Sequence, residues 1–172
     1  MAFVDFSDSH YQYVKARIAA INPQRLVKGI LNAQDWPPKN VTLEAFYLLV
    51  LNEAPMPGAG TPTVSAMQHN LQWVWIIQGR QIPVDARQAN RGTAFRTNQL
   101  MKGELNNALY PGFCEKKTWS AVNGVWTGAS LVPVEYIVWS SVKYLDRQDK
   151  DSGLVYGAAQ VTVANMLDQT LS

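Results

Sequence analysis

Residues 68–79 read Gln-His-Asn-Leu-Gln-Trp-Val-Trp-Ile-Ile-Gln-Gly, QHNLQWVWIIQG. A period of two puts Leu71, Trp73, Trp75 and Ile77 on one side of a strand and Gln72, Val74, Ile76 and Gln78 on the other. One side is wholly apolar and the other half apolar, so the stretch has no obvious wet face. It needs cover on both sides, from a large core of its own chain or from another subunit.

Outward from this strand, VTLEAFYLLVL (41–51) reads as a second one. Leu43, Ala45, Tyr47, Leu49 and Leu51 share one of its faces; Phe46, Leu48 and Val50 share the other. The Pro/Gly block at 54–63 joins the two strands as a loop, longer than a tight hairpin needs. Upstream, DSHYQYVKARIAAI (8–21) has Tyr11, Val14, Ile18 and Ile21 on one helical face. Asp8 or Ser9 is placed to cap it and Asn22-Pro23 to stop it. QDWPPKN (34–40) is a turn-rich connector.

Downstream, 84–109 reads as a second helix with Ala94, Met101, Leu105 and Ala108 as its core stripe. Arg87 and Arg91 fall on that stripe, one or two turns earlier, whereas Arg96 lies opposite. The first turns of this helix are therefore expected to overhang the sheet. Tyr110-Pro111-Gly112 ends the helix, and 118–130 is a Gly- and Trp-bearing connector with room for a short strand. Residues 134–145 alternate as a strand, 146–153 form a polar turn, and 154–167 return as a final strand carrying Val161 and Val163. The order helix, strand, strand, helix, strand, strand gives an α+β fold, with hairpins in an antiparallel or mixed sheet packed against two helices. At 172 residues the chain reads as one domain, 1–172.

Apolar residues make up 47% and charged ones 16%, below the usual quarter, and a charge-poor surface favours association. A net charge of +2 argues against a general nucleic-acid binder held by a dense basic face. Cys114 is the one cysteine; it excludes an internal disulfide and suits a reducing compartment. MAFVDFSDSH lacks the basic and apolar regions of a secretory signal, and the apolar run 45–51 is too short for a membrane helix. A cytosolic or assembly-type protein is expected.

Catalytic motifs are weak. His10 and His69 lack metal-ligand spacing, and Asp8, Ser9 and His10 are neighbours in sequence without a nucleophile-elbow pattern. Cys114 beside Glu115, Lys116 and Lys117 reads as an inert thiol. Gly58-Ala59-Gly60 lacks the rest of a phosphate loop, and Asp149-Lys150-Asp151-Ser152-Gly153 misplaces the glycine of a calcium loop. The 13 acidic residues single out no acid/base pair. Neither a catalytic site, a metal site nor a cofactor follows. Trp73 and Trp75 have no Lys or Arg among them for base stacking, so they read as core or interface packing.

One resemblance does carry a function. SVKYLDRQDKDSGLVYGAAQVTVANM (141–166) resembles the closing hairpin of phage tail terminator proteins, the minor tail protein U type of long-tailed phages. The matching residues are Tyr144, Arg147, Asp149, Asp151, Gly153, Leu154, Val161 and Val163. The order of elements is similar over most of the chain, although the 54–63 loop and the 110–130 connector depart from the pattern. The resemblance implies a non-enzymatic ring, usually a homohexamer, on the end of the tail tube. That ring stops tube polymerisation, binds the tail tube protein and the head-completion or connector protein, and leaves an opening for DNA. It implies the tail or neck of a virion, assembled in the host cytoplasm, with no membrane.

A heterologous ring interface joins two different patches of one subunit. Trp73 and Trp75 are candidates for one patch. Arg87 and Arg91 are candidates for another, paired with Asp149 or Asp151 of a neighbour. The 54–63 loop, with Pro57 and Gly58, and the 146–153 turn, with Asp146 and Arg147, are the candidate partner grips. Two other readings stand beside this one: another neck or tail tube protein, and a small ligand-binding or hydrolytic domain with its site in the 54–63 and 118–130 loops.

Overall fold

The computed structural model describes residues 2–55, 67–78, 84–110, 112–130, 136–148 and 155–165. Among these, the chain runs through β1 (Ala2–Val4), α1 (Phe6–Ile21), β2 (Leu26–Asn32), a 3-10 turn at Ala33–Asp35, β3 (Ala45–Pro55) and β4 (Met67–Gln78). It continues through α2 (Val84–Leu109), β5 (Phe113–Glu115), β6 (Lys117–Val122), β7 (Val125–Ser130), β8 (Tyr136–Gln148) and β9 (Val155–Asn165). The fold is α+β. A six-stranded mixed sheet has the order β2-β3-β4-β9-β8-β5, and a separate three-stranded sheet has the order β1-β6-β7. Among the described strands, only β2 and β3 pair in parallel.

β4 lies inside the large sheet, and its alternation is the one its sequence predicts. Leu71, Trp73, Trp75 and Ile77 pack with Phe46, Leu48, Ala159, Val161 and Val163 beneath both helices. α1 contributes Tyr11, Val14 and Ile18 to this core; α2 contributes Met101, Leu105 and Ala108. The opposite face has a smaller cluster of Ala45, Tyr47, Leu49, Val74 and Ala158. Trp36 covers it, meeting Tyr47 and Tyr156 edge-on at 5.9 Å each. Farther along, this face turns polar: Gln72 sits opposite Gln160, and the Thr162 hydroxyl donates to Asn70 Oδ1 at 3.0 Å. The strand's cover therefore comes from helices on one side and from the Trp36 segment on the other, all within one chain.

Both helix ends are closed by specific groups. Asp5 caps α1 by accepting from the Asp8 backbone N–H at 2.9 Å. The free carbonyls at the end of α2 receive Arg17, which donates to Ala108 and Asn107, and the Trp139 indole, which donates to Leu109 at 2.8 Å. These bonds anchor α2 to α1 and to β8.

Several expectations need correction. The α1 cap is Asp5, not Asp8 or Ser9, and Ile21 leaves the buried stripe at 42% exposure. The strand expected at 41–51 begins at Ala45, after a turn with Glu44 at φ +57°, and runs to Pro55. β2 has no counterpart in the sequence reading, because Lys28-Gly29 interrupts its apolar run at a register shift. The 118–130 connector is a whole hairpin: Asn123 and Gly124, at φ +51° and +76°, form the two-residue turn between β6 and β7. The polar turn expected from 146 starts later, since Asp146, Arg147 and Gln148 pair with Gly157, Tyr156 and Val155.

Candidate functional site

Two histidines sit where α1 meets the large sheet. His10 is fully buried; its Nε2 accepts the Trp73 indole N–H at 3.0 Å, and its ring meets Trp139 edge-on. Burial pushes its pKa down to about 3, so the ring is neutral. It is packed as a core group.

His69 lies beside Ser7 and Glu53, a set that superficially suggests nucleophilic catalysis. Both partners approach the same ring nitrogen: Ser7 Oγ is 3.5 Å and Glu53 Oε1 3.1 Å from Nδ1. A catalytic dyad oriented by an acid needs the nucleophile on one nitrogen and the acid on the other. Burial also lowers the His69 pKa, against the pull of Glu53 and Asp5. The cluster is a junction between α1, β3 and β4.

The second buried charge cluster is structural as well. Arg25 donates to Glu104 through Nε at 2.7 Å and through a terminal nitrogen at 3.2 Å, and Asn22 donates to the same carboxylate at 2.8 Å. The two charged side chains are 8% and 6% exposed. They tie the end of α1 to α2, while Arg25 also reaches the Glu44 carbonyl ahead of β3.

Two surface features stand out among the described residues. One is a hollow of about 580 Å³ between α1, β5 and the start of β8, with Tyr13, Ala16, Phe113, Cys114 and Tyr136 in its walls. Gln12, Glu115 and Lys117 supply polar groups to its lining. Phe113 and Tyr136 meet edge-on at 5.0 Å and are about two-fifths exposed. Cys114 lies against the hollow but is 1% exposed, and burial pushes its thiol up to about 12, with Lys117 opposing and Glu115 adding to the shift. It is no nucleophile at neutral pH.

The other feature is the β6–β7 hairpin. Residues 121–129 are all exposed, and Val122, Val125 and Trp126 at its end are 58%, 62% and 54% exposed. No charged residue occurs from 118 to 134. Its root is ordered by Trp119, which lies across Gly128 on the paired strand.

Of the candidates named from sequence, Trp73 and Trp75 are overturned as interface residues. Both are 0% exposed within the single chain, and Trp75 donates to Asn98 at 2.9 Å. The chain itself encloses them, so they offer no surface to a neighbour. Arg87 and Arg91 belong to α2, and Asp146 and Arg147 to β8; their side chains lie outside the described residues. Asp149, Asp151, Pro57 and Gly58 lie outside the described residues altogether. The hairpin tip was missed, although Asn123-Gly124 between apolar residues is a strong hairpin signal and the uncharged run around it is visible in the sequence.

Among the described residues, no group of three His, Cys, Asp or Glu side chains is arranged to hold a metal ion. No described helix is long and apolar enough to cross a membrane. Comparison with protein-family models and with curated proteins finds no match.

Proposed function

We propose that this chain is a virion assembly protein of the tail-terminator type. Copies close into a ring of six on the end of the tail tube, stop its polymerisation and offer a face to the head-side connector, with DNA passing through the opening. The observation that carries this reading is the outer part of the β6–β7 hairpin, uncharged from 118 to 130 and exposed from 121 to 129. An arm with apolar residues at its tip and no charge along it suits burial against protein better than exposure to water. The resemblance of 141–166 to the closing hairpin of tail terminators supports the reading, and β8 and β9 do pair as antiparallel strands. The burial of Trp73 and Trp75 moves the expected interface away from β4, towards this arm.

A second reading rests on the hollow beside Cys114, whose volume falls within the range of small-molecule sites. In that case the protein is a monomeric ligand-binding domain.

Light scattering on the eluting protein and end-on electron micrographs separate the two: a six-fold ring supports the terminator, and a monomer at high concentration overturns it. Adding the protein to polymerising tail tubes then tests its role. A terminator yields short tubes of defined length, whereas a tube subunit lengthens them.

A further inference from the structure

We infer that the hollow between α1, β5 and β8 binds a planar aromatic acid, its ring among Tyr13, Phe113 and Tyr136 and its carboxylate on the Lys117 ammonium. The inference rests on the second reading, in that the hollow is a ligand site, and names the class of ligand. It does not depend on how many copies of the chain associate.

The aromatic part follows from the walls. Tyr13 comes from α1, Phe113 from β5 and Tyr136 from β8, so three elements each bring one ring to the hollow. Phe113 and Tyr136 stand at 78° to each other with centroids 5.0 Å apart, and each is about two-fifths exposed. A flat ligand can stack on one of these rings while meeting the edge of the other, the two arrangements that aromatic pairs prefer. Tyr13 is held in place by Trp139, 6.0 Å from its ring, and by the Arg17 guanidinium, 5.6 Å from its centroid. A hollow of about 580 Å³ lies within the range of small-molecule sites and gives far more room than an inorganic ion needs.

The charge of the ligand follows from how the polar groups of the lining are used. Lys117 is half-buried, and its backbone N–H donates to Ser9 Oγ at 3.3 Å, which fixes the start of β6 against α1. Its ammonium forms no ion pair among the described residues. Of the groups that act on the Asp8 carboxyl, Lys117 has the smallest effect, which places the ammonium away from that carboxylate. A cation so placed, partly removed from water, gains a charge-assisted hydrogen bond from an incoming carboxylate. Gln12 donates one amide N–H to Asp8 Oδ1 at 3.3 Å and has a second to offer the same ligand. Glu115, the acid of the lining, is exposed and already engaged within the chain, so a ligand cation would have to compete for it.

The test titrates the full chain by calorimetry with 2-naphthoate. Its cationic and neutral analogues, 2-naphthylmethylamine and 2-naphthalenemethanol, carry the same ring, and decanoate supplies the same charge on a flexible chain. 2-Naphthoate should bind more tightly than each of the other three, by about ten-fold. Ala16→Trp, which fills the exposed rim of the hollow, should weaken that binding by about ten-fold. Lys117→Met should abolish the preference for the acid over the alcohol, leaving the affinity for the alcohol and the thermal unfolding of the protein unchanged. If the amine or the alcohol binds as well as 2-naphthoate and Ala16→Trp blocks them all, the hollow is a ligand site and the acid is wrong. Equal binding of decanoate overturns the aromatic assignment, and binding undiminished by Ala16→Trp overturns the location. If none of the four compounds binds, the second reading falls with the inference.

Discussion

Trp75 lies across Gly157, its partner on the neighbouring strand, so closely that a Cβ at position 157 would overlap the indole ring. The absent side chain on β9 is what lets a fully buried tryptophan on β4 lie flat and reach Asn98 on α2. Gly157→Ala should therefore destabilise the protein by about 1–3 kcal/mol through overpacking. Trp75→Ala should cost about 3–5 kcal/mol through the cavity it leaves. In a Trp75→Phe background the penalty of Gly157→Ala should shrink, because the smaller ring yields. Urea unfolding of the single and double variants measures that coupling, and strictly additive losses would refute it.

The Arg25–Glu104 pair is almost wholly removed from water, so its members depend on each other. Arg25→Met should cost about 3–5 kcal/mol because it strands a buried carboxylate. Adding Glu104→Leu should restore part of that loss, since no unpaired charge then remains. Chemical denaturation of the four proteins in the cycle decides it; a double variant worse than the sum of the singles would contradict the account.

His10 makes stability depend on pH in a defined direction. Its folded-state pKa is about 3, below the ordinary 6.5, so the unfolded chain takes up a proton that the native state refuses. Above pH 6.5 the histidine is neutral in both states and its contribution is fully present. As pH falls from 6.5 towards 3 that contribution is lost, at up to about 1.4 kcal/mol per pH unit. Burial lowers His69 as well, which adds in the same direction. His10→Gln keeps an acceptor for the Trp73 indole but cannot titrate. Between pH 7.5 and pH 5 the unaltered protein should lose about 2 kcal/mol more than this variant. Equal losses in the two proteins would show that His10 is not the group responsible.

Cys114 should be silent to alkylating reagents in the folded protein. With its thiol pushed up to about 12 and its side chain enclosed, labelling at pH 8 should run on the order of 1,000-fold slower than in urea. Rapid labelling of the folded chain would mean that the hollow opens onto the sulfur.

The local features of this fold were legible because local chemistry writes them. The alternation through Leu71, Trp73, Trp75 and Ile77 can be satisfied only by a strand with an apolar core on that side, and β4 is that strand. α2 runs from Val84 to Leu109 as its periodicity requires, between Pro83 and the Tyr110-Pro111-Gly112 break. Met101, Leu105 and Ala108 are buried on its inner face, as their spacing demands. Asn123-Gly124 could have been read the same way, because only residues that tolerate positive φ make that turn.

Partners distant in the chain were a different matter. Ala2 lies opposite Ser120, β2 joins the sheet in parallel beside β3, and Trp36 supplies the roof for Tyr47 and Tyr156. The amino-acid order alone determined that β4 needs cover on two sides; it did not determine whose atoms provide it. Periodicity records how apolar a face is, while the identity of what packs on that face depends on contacts between segments with no sequence signal in common. That choice, made in three dimensions, took Trp73 and Trp75 into the core and left Val122, Val125 and Trp126 of the β6–β7 hairpin among the exposed apolar residues.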